Sequence, residues 1–217
     1  YVVVSEMAKN KTGKKKIIVA SILAALAIQT AGVIDVAAAV GDQPSAAIAN
    51  GSVTSGKTNG LAIGNFASSG SNQSIAIGYY SVATATEADP ALPATAVGAG
   101  ANATGQSTVA LGLLAQATSG STTALGAKSV ASEDAAVAVG YGTKATGNYA
   151  SALGADATAS NNDATAFGHG TVASGGSSTA LGSRAKAGGT AGVGIGMLAN
   201  ATNQYGVAIG GESSSSA

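Results

Sequence analysis

A tripeptide that ends in glycine recurs along most of this chain, and it constrains the fold more than any other feature. Beginning with Ala62-Ile63-Gly64, the pattern of a small residue, a large apolar residue and glycine occurs eleven times. Nine of the ten intervals are 14 residues, and the other, from Gly78 to Gly98, is 20 because it carries a six-residue insertion. So short and regular a period is typical of a solenoid, in which each coil buries its face only against its neighbours.

Each coil can be numbered from its glycine as position 0. Position −2 is Ala in every coil except the one with Gly194. Side chains alternate along a strand, so −4, −2 and 0 form a small-residue face while −3 and −1 form a large apolar face. Position −1 is always large and apolar, and its members are Ile63, Ile77, Val97, Leu111, Leu125, Val139, Leu153, Phe167, Leu181, Ile195 and Ile209.

A second short strand is predicted at positions +3 to +5. Positions +3 and +5 are small, as in Ala115 and Ala117, whereas the residue between them is polar in most coils, as in Gln116. Positions +6 to +9 are rich in Gly, Ser, Asn and Asp, which turns favour. Each coil therefore reads as strand, turn, strand, turn, and the predicted fold is an all-β parallel β-roll (solenoid) of 14-residue coils.

The two small-residue faces can meet only inside a thin roll, so we expect the large side chains at −3 and −1 to point outward. An exposed apolar stripe of that length marks an interaction surface, and copies of the same chain are its simplest partner. The alternative arrangement places the large residues inside the roll and the alanines outside.

The motifs Ser74-Ile75-Ala76-Ile77-Gly78 and Thr108-Val109-Ala110-Leu111-Gly112, the second followed by Ala115-Gln116-Ala117, resemble the head repeat of YadA-like trimeric autotransporter adhesins. The resemblance covers about residues 45–212. It implies that the roll is left-handed, that three rolls associate as a homotrimer, and that the −1 residues form the trimer interface.

Residues 1–39 differ from the rest of the chain. A cluster of five lysines between Lys9 and Lys16 precedes the apolar segment Ile17–Ile28, and Ala37-Ala38-Ala39 follows. This order predicts a secretory signal peptide and a mature chain that begins near Val40. Upstream of it, residues Tyr1–Lys9 resemble the end of the extended signal peptide region found on large autotransporters. Twelve apolar residues are fewer than the 20 or so that span a bilayer, which favours cleavage over the alternative of an N-terminal membrane anchor.

The repeat region has a leader and a tail. Residues 40–60 lead into the roll, with a degenerate first coil around Ile48 that is offset by one residue from the 14-residue register. The eleven repeats occupy 61–212, with the insertion at 85–93, and residues 213–217 are a Ser-rich tail. The family resemblance implies a neck, a stalk and a membrane anchor after the head, so we expect either that the chain is truncated before them or that those parts were lost.

The side-chain inventory argues against an enzyme. Cysteine is absent, the single histidine, His169, lies in a turn, and no acidic residue recurs at a fixed position, so no catalytic residues, cofactor or metal site are predicted. Without residues 1–39 the chain has five basic and eight acidic residues, a net charge of −3, which gives no electrostatic basis for binding nucleic acid. Irregular, charged residues at +4 such as Lys144 also break the threonine lattice that an ice-binding solenoid needs.

The resemblance implies an adhesin head of a type V secretion system, exported to the bacterial cell surface and outer membrane. Its expected partners are a host extracellular matrix protein or cell-surface receptor, and sister heads in cell-cell aggregation. The insertion at 85–93 carries Glu87 and Asp89 as candidate receptor-loop residues, since loops on rigid scaffolds often carry specificity. The alternative is a passive surface-layer or biofilm protein without a specific receptor.

Overall fold

A computed structural model describes residues 34–35, 46–48, 52–53, 59–85 and 92–215, which lie in one compact unit, Ile34–Ala217. The secondary structure of these residues consists of 25 short β-strands, and no helix occurs among them. From the second strand onward they alternate between two sheets, one of 13 strands and one of 12. This arrangement confirms the predicted all-β parallel solenoid.

The first sheet, sheet A, holds two early strands and then, from Leu61 onward, the strands that end at position −1. They are β1 (Ile34–Asp35), β2 (Ala46–Ile48), β4 (Leu61–Ile63), β6 (Ile75–Ile77), β8 (Thr95–Val97), β10 (Val109–Leu111), β12 (Thr123–Leu125), β14 (Val137–Val139), β16 (Ser151–Leu153), β18 (Thr165–Phe167), β20 (Thr179–Leu181), β22 (Val193–Ile195) and β24 (Val207–Ile209).

The second sheet, sheet B, holds the two-residue strands at positions +4 and +5. They are β3 (Ser52–Val53), β5 (Ser68–Ser69), β7 (Val82–Ala83), β9 (Asn102–Ala103), β11 (Gln116–Ala117), β13 (Val130–Ala131), β15 (Lys144–Ala145), β17 (Thr158–Ala159), β19 (Val172–Ala173), β21 (Lys186–Ala187), β23 (Asn200–Ala201) and β25 (Ser214–Ser215).

The pairing register follows the sequence repeat. From β4 onward each strand of sheet A lies parallel to the strand one coil later, so that like positions stack, as in Leu111 opposite Leu125. Across the insertion the same positions still pair, because Ile75 lies opposite Thr95. In the degenerate first coil Ile48 pairs with Ile63, a step of 15 residues, which confirms the one-residue offset. Only β1 is antiparallel, to β2.

The interior between the sheets contains small side chains only. Alanines at −2, +3 and +5 are exposed by 3% or less, and among the described residues the largest fully buried side chain is threonine. The buried hydroxyls at −4 bond to turn carbonyls: the Thr108 hydroxyl donates to the Gly105 oxygen at 2.8 Å, and that of Ser178 to the Gly175 oxygen at 2.7 Å. Ser and Thr can therefore replace Ala at these positions without leaving an unsatisfied polar group.

Both turns of a coil use left-handed backbone at one residue. Position +2 has φ between 54° and 64°, and position +9 has φ between 52° and 58°, whatever residue occurs there. Tyr80 and Leu114 adopt this conformation although bulky residues rarely do. Most of these residues donate their N–H to the preceding coil, as Leu114 does to the Ala99 oxygen at 2.9 Å, so stacking holds the turn.

The position-0 glycines stack backbone against backbone. Their φ values of 117° to 137° are in a region that side chains rarely adopt. A Cβ on any of the first ten would also lie only 2.3 to 2.9 Å from the glycine of the next coil, whereas at Gly210 it would meet nothing within 4 Å. Glycine is therefore required both by the turn and by the contact between coils.

The structure confirms that the small-residue face lies inside and the large apolar face outside. The alternative arrangement, with large residues inside the roll, is wrong. The left-handed winding and the homotrimer stay predictions. The signal peptide expected at 1–39 lies outside the described residues except for Ile34–Asp35, and residues 216–217 of the Ser-rich tail also lie outside them.

Gly126→Ala tests the contact between coils, and Gly210→Ala is its matched control. Both substitutions impose a similar backbone strain of about 1–3 kcal/mol, but only the Cβ at 126 collides, at 2.3 Å, with the Gly140 oxygen. We expect Gly126→Ala to lower the melting temperature clearly more than Gly210→Ala. If circular dichroism shows the same decrease in melting temperature for both variants, the contact between coils does not contribute to stability as we propose.

Ala138→Leu tests the thickness of the interior. Ala138 is fully buried, whereas Lys144 in sheet B is exposed. Three extra carbons between the sheets should cost about 1–3 kcal/mol by overpacking. Lys144→Leu should leave the denaturation midpoint nearly unchanged, and the prediction fails if the two variants unfold at the same denaturant concentration.

Candidate interaction surfaces

The apolar stripe, which we define as positions −3 and −1 of sheet A, is the largest candidate surface. All eleven −1 residues predicted as the trimer interface have their side chains outside the roll. Leu111, Leu125, Leu153, Phe167, Leu181 and Ile209 are exposed, by 39% to 66%, and the other five are half-buried. The single roll thus leaves in water the side chains that most other folds would bury.

The stripe is furrowed rather than flat. Position −3 varies in size, because Val137 is followed by the smaller Ser151 and Thr165 in the next two coils. Together with Val139, Leu153 and Phe167 these side chains line an open groove of about 320 Å³. A surface of ridges and grooves can interdigitate with apolar side chains of a partner, as at the buried centre of protein interfaces.

The first turn, positions 0 to +2, carries further apolar side chains beside the stripe. Those exposed by 43% to 56% are Phe66, Tyr79, Tyr80, Leu113, Leu114, Tyr141, Met197 and Leu198. The sequence alone did not single them out, because only His169 was placed in this turn. Considering +1 and +2 together as one column would have found them, since five of the eleven coils place a large apolar side chain at one or the other.

Three of these residues form an aromatic cluster. The rings of Phe66 and Tyr80, both at +2 in successive coils, stack with centroids 4.6 Å apart and planes at 20°. Tyr79 meets Tyr80 edge-on at 4.5 Å. Three coils after Tyr80, the Lys128 Nζ lies 5.8 Å from the centroid of the Tyr141 ring.

The second turn, positions +6 to +9, is polar by contrast. Tyr149 and Tyr205 are its exposed large side chains, at 66% and 71%. Gly105, Gly120, Asp134 and Tyr149 line an open notch of about 540 Å³ at this edge. The first turn is therefore the more apolar edge of the roll, although in other coils it carries exposed charged side chains such as Lys128 and Arg184.

The other sequence-predicted residues are placed as follows. His169 lies exposed in a first turn. Among the described residues no group of three or more His, Cys, Asp or Glu side chains is placed to hold a metal ion. Glu87 and Asp89 lie outside the described residues, although the strands on both sides of the insertion remain paired. The described part of the chain also contains no helix that is long and apolar enough to cross a membrane.

Comparisons with known proteins identify a family and a similar solved structure. The family model described as YadA head domain repeat matches residues 55–87, 93–115, 117–143, 145–171 and 173–199, more than half of the chain. A search of curated proteins found no match. Among solved structures, the chain is similar to the collagen-binding domain of the Yersinia adhesin YadA, with 31% identity over 64% of this chain and 75% of that one and a TM-score of 0.46.

Proposed function

We propose, from the premise that this chain belongs to the YadA head domain repeat family, that it is the adhesive head of a trimeric surface protein. The observation that carries the proposal is the inside-out distribution of side chains. Alanine fills the interior, while the Ile, Val, Leu and Phe residues of the stripe lie outside. If three copies pack their stripes around one axis, these residues become buried, whereas in a single roll they are exposed to water.

The energetic case for association rests on the length of the stripe. Burying a large aliphatic or aromatic side chain contributes about 1.5–3 kcal/mol, and the stripe offers one such residue in each of eleven coils. Only part of this free energy of burial is gained on association, because five of the eleven side chains are already half-buried in the single chain. The remaining area is still far larger than the isolated apolar residues of ordinary monomer surfaces.

The difference between the two edges supports a defined orientation of the rolls. In a cyclic trimer each contact is heterologous, so one patch of a protomer meets a different patch of the next. We propose that the apolar first turn, with Leu113, Leu114 and Tyr141, packs against the neighbouring roll. The polar second turn and the outer face of sheet B would then remain in contact with water.

Adhesion would use these remaining surfaces. The +4 side chains of sheet B repeat once per coil, about every 4.8 Å, and with the second turns they form a long surface of similar shallow sites. Binding would be multivalent, with avidity from three chains and from many copies per cell. We propose an extracellular matrix protein or a host cell-surface receptor as the partner, and sister heads in aggregation.

Export and surface location complete the proposal. Residues 1–39 would direct secretion and be removed near Val40, as the sequence predicts. The head would then be displayed outside the bacterial outer membrane by a type V mechanism. Binding rather than catalysis is the proposed activity, without cofactor and without nucleic acid as a partner.

Leu111→Asp tests the trimer, and Gln116→Asp in the same coil is its matched control. Both wild-type residues are exposed in the single roll, on opposite sheets. Leu111→Asp would place three carboxylates around one axis, at a cost of several kcal/mol for each buried charge, whereas Gln116→Asp would stay in water. We expect light scattering to give three chain masses for the control and a smaller particle for Leu111→Asp. A trimeric Leu111→Asp variant would contradict this interface.

Adhesion is tested by coating a surface with purified wild-type protein and measuring attachment of matrix proteins, host cells and beads that carry the same head. Leu111→Asp serves as the control that lacks avidity, because it presents the same outer sheet on separate chains. We expect attachment to fall by about a hundredfold, the lower end of avidity gains, in that variant. If nothing attaches to the wild type above the uncoated background, a passive surface layer becomes the better account.

A further inference from the structure

The polar edge of the roll contains one preformed notch that the repeat alone does not explain. The notch, of about 540 Å³, lies across four successive second turns, from Gly105 to Tyr149. Its size is within the range of small-ligand sites, about 300–1,000 Å³. The second-turn edge remains open to solvent in the proposed trimer.

The floor of the notch exists because side chains are small or missing there. Position +9 holds Ser121 and Ala135 in two successive coils, and Gly120 precedes Ser121. The backbone beneath is rigid, since the Ala135 N–H donates to the Gly120 oxygen at 2.9 Å and the Tyr149 N–H to the Asp134 oxygen at 2.8 Å. The shape is therefore set by the coil ladder and does not need a ligand to form.

Asp134 supplies the only charged group that lines the notch. One of its carboxylate oxygens accepts hydrogen bonds from the Ser119 hydroxyl and, at 3.1 Å, from the Gly120 N–H. These two bonds hold the carboxylate over the floor. Its second oxygen makes no hydrogen bond within the described residues and is left to accept from a ligand.

Tyr149 forms the wall at one end. It occupies position +9 one coil after Ala135, so a large ring follows two small residues in the same column. The side chain is 66% exposed and lines the notch. A ring of this kind offers an apolar face, and its hydroxyl offers a polar tip, which suits a ligand that has both kinds of surface.

We propose that this notch binds a neutral hexopyranose unit of a glycan. A sugar ring presents hydroxyl pairs that a fixed carboxylate can accept from, and a C–H face that can lie on a tyrosine ring. The hydroxyls of Thr118 and Ser119 and the Gln106 amide, which also line the notch, match the remaining sugar hydroxyls. No lysine or arginine lines it, so an acidic sugar would meet Asp134 without a compensating cation.

The chain itself contains a comparison site. Four coils later, position +9 repeats the order Ser177, Ala191, Tyr205, with a tyrosine that is 71% exposed. Thr190 stands there in place of Asp134. Tyr205 therefore lies at the same repeat position as Tyr149 and follows the same small residues, but no carboxylate corresponds to that of Asp134.

The test measures binding of the full chain to polyacrylamide conjugates of glucose, galactose, mannose and N-acetylglucosamine by biolayer interferometry. Conjugates of glucuronic acid and N-acetylneuraminic acid, and the bare polymer, are the comparison probes. The variants are Asp134→Asn, Tyr149→Asn and Tyr205→Asn. Asparagine tolerates the left-handed backbone at 149 and 205, so the fold is retained, and circular dichroism melts verify this.

We expect at least one neutral conjugate to bind, and the acidic conjugates and bare polymer not to. Asp134→Asn and Tyr149→Asn should each weaken binding by about tenfold or more, as the loss of one charge-assisted bond or stacking contact would, and Tyr205→Asn should not. No binding by any neutral conjugate, binding by acidic conjugates, or equal losses in all three variants would overturn the proposal. The site lies within one chain, so this result stands apart from the trimer and matrix assays.

Discussion

The close approach of the two sheets is the constraint on which the rest of the structure depends. Only alanine, serine, threonine and glycine fit between sheets this near to each other, and the position-0 glycines touch backbone to backbone from coil to coil. A roll this thin has no room for Leu125 or Phe167, so these side chains lie outside. The interaction surface is thus a direct consequence of the packing that forms the fold.

Much of the fold could be predicted from the sequence, because the repeat length and the alternation of residue size have direct structural consequences. The 14-residue step sets which residues stack, and the contrast between Ala124 and Leu125 sets which face is inside. The offset at Ile48 and the insertion before Thr95 could be located for the same reason. The fold and the apolar stripe could thus be predicted from the repeat positions that hold similar residues in every coil.

The repeat positions whose residue type varies from coil to coil did not allow such a prediction. Residue preference argues against left-handed backbone at Tyr80 or Leu114, yet the hydrogen bonds to the preceding coil impose it there. The large apolar side chains of the first turn could not be singled out from the sequence, because position +1 also holds Asn65 and Ser183. The notch beside Asp134 is formed by four adjacent turns together. None of these turns has an unusual sequence by itself, so the notch is visible only in the three-dimensional structure.

The central claim is that the apolar stripe is covered by sister chains while the alanine column forms the interior. The chain has no cysteine, so Leu125→Cys and Lys144→Cys provide single thiols on the two exposed faces of one roll. The decisive measurement is the rate of labelling by a bulky maleimide in the assembled protein. The account predicts that Leu125→Cys is labelled much more slowly than Lys144→Cys, and that mild denaturation removes the difference. Equal rates in the native protein would contradict it.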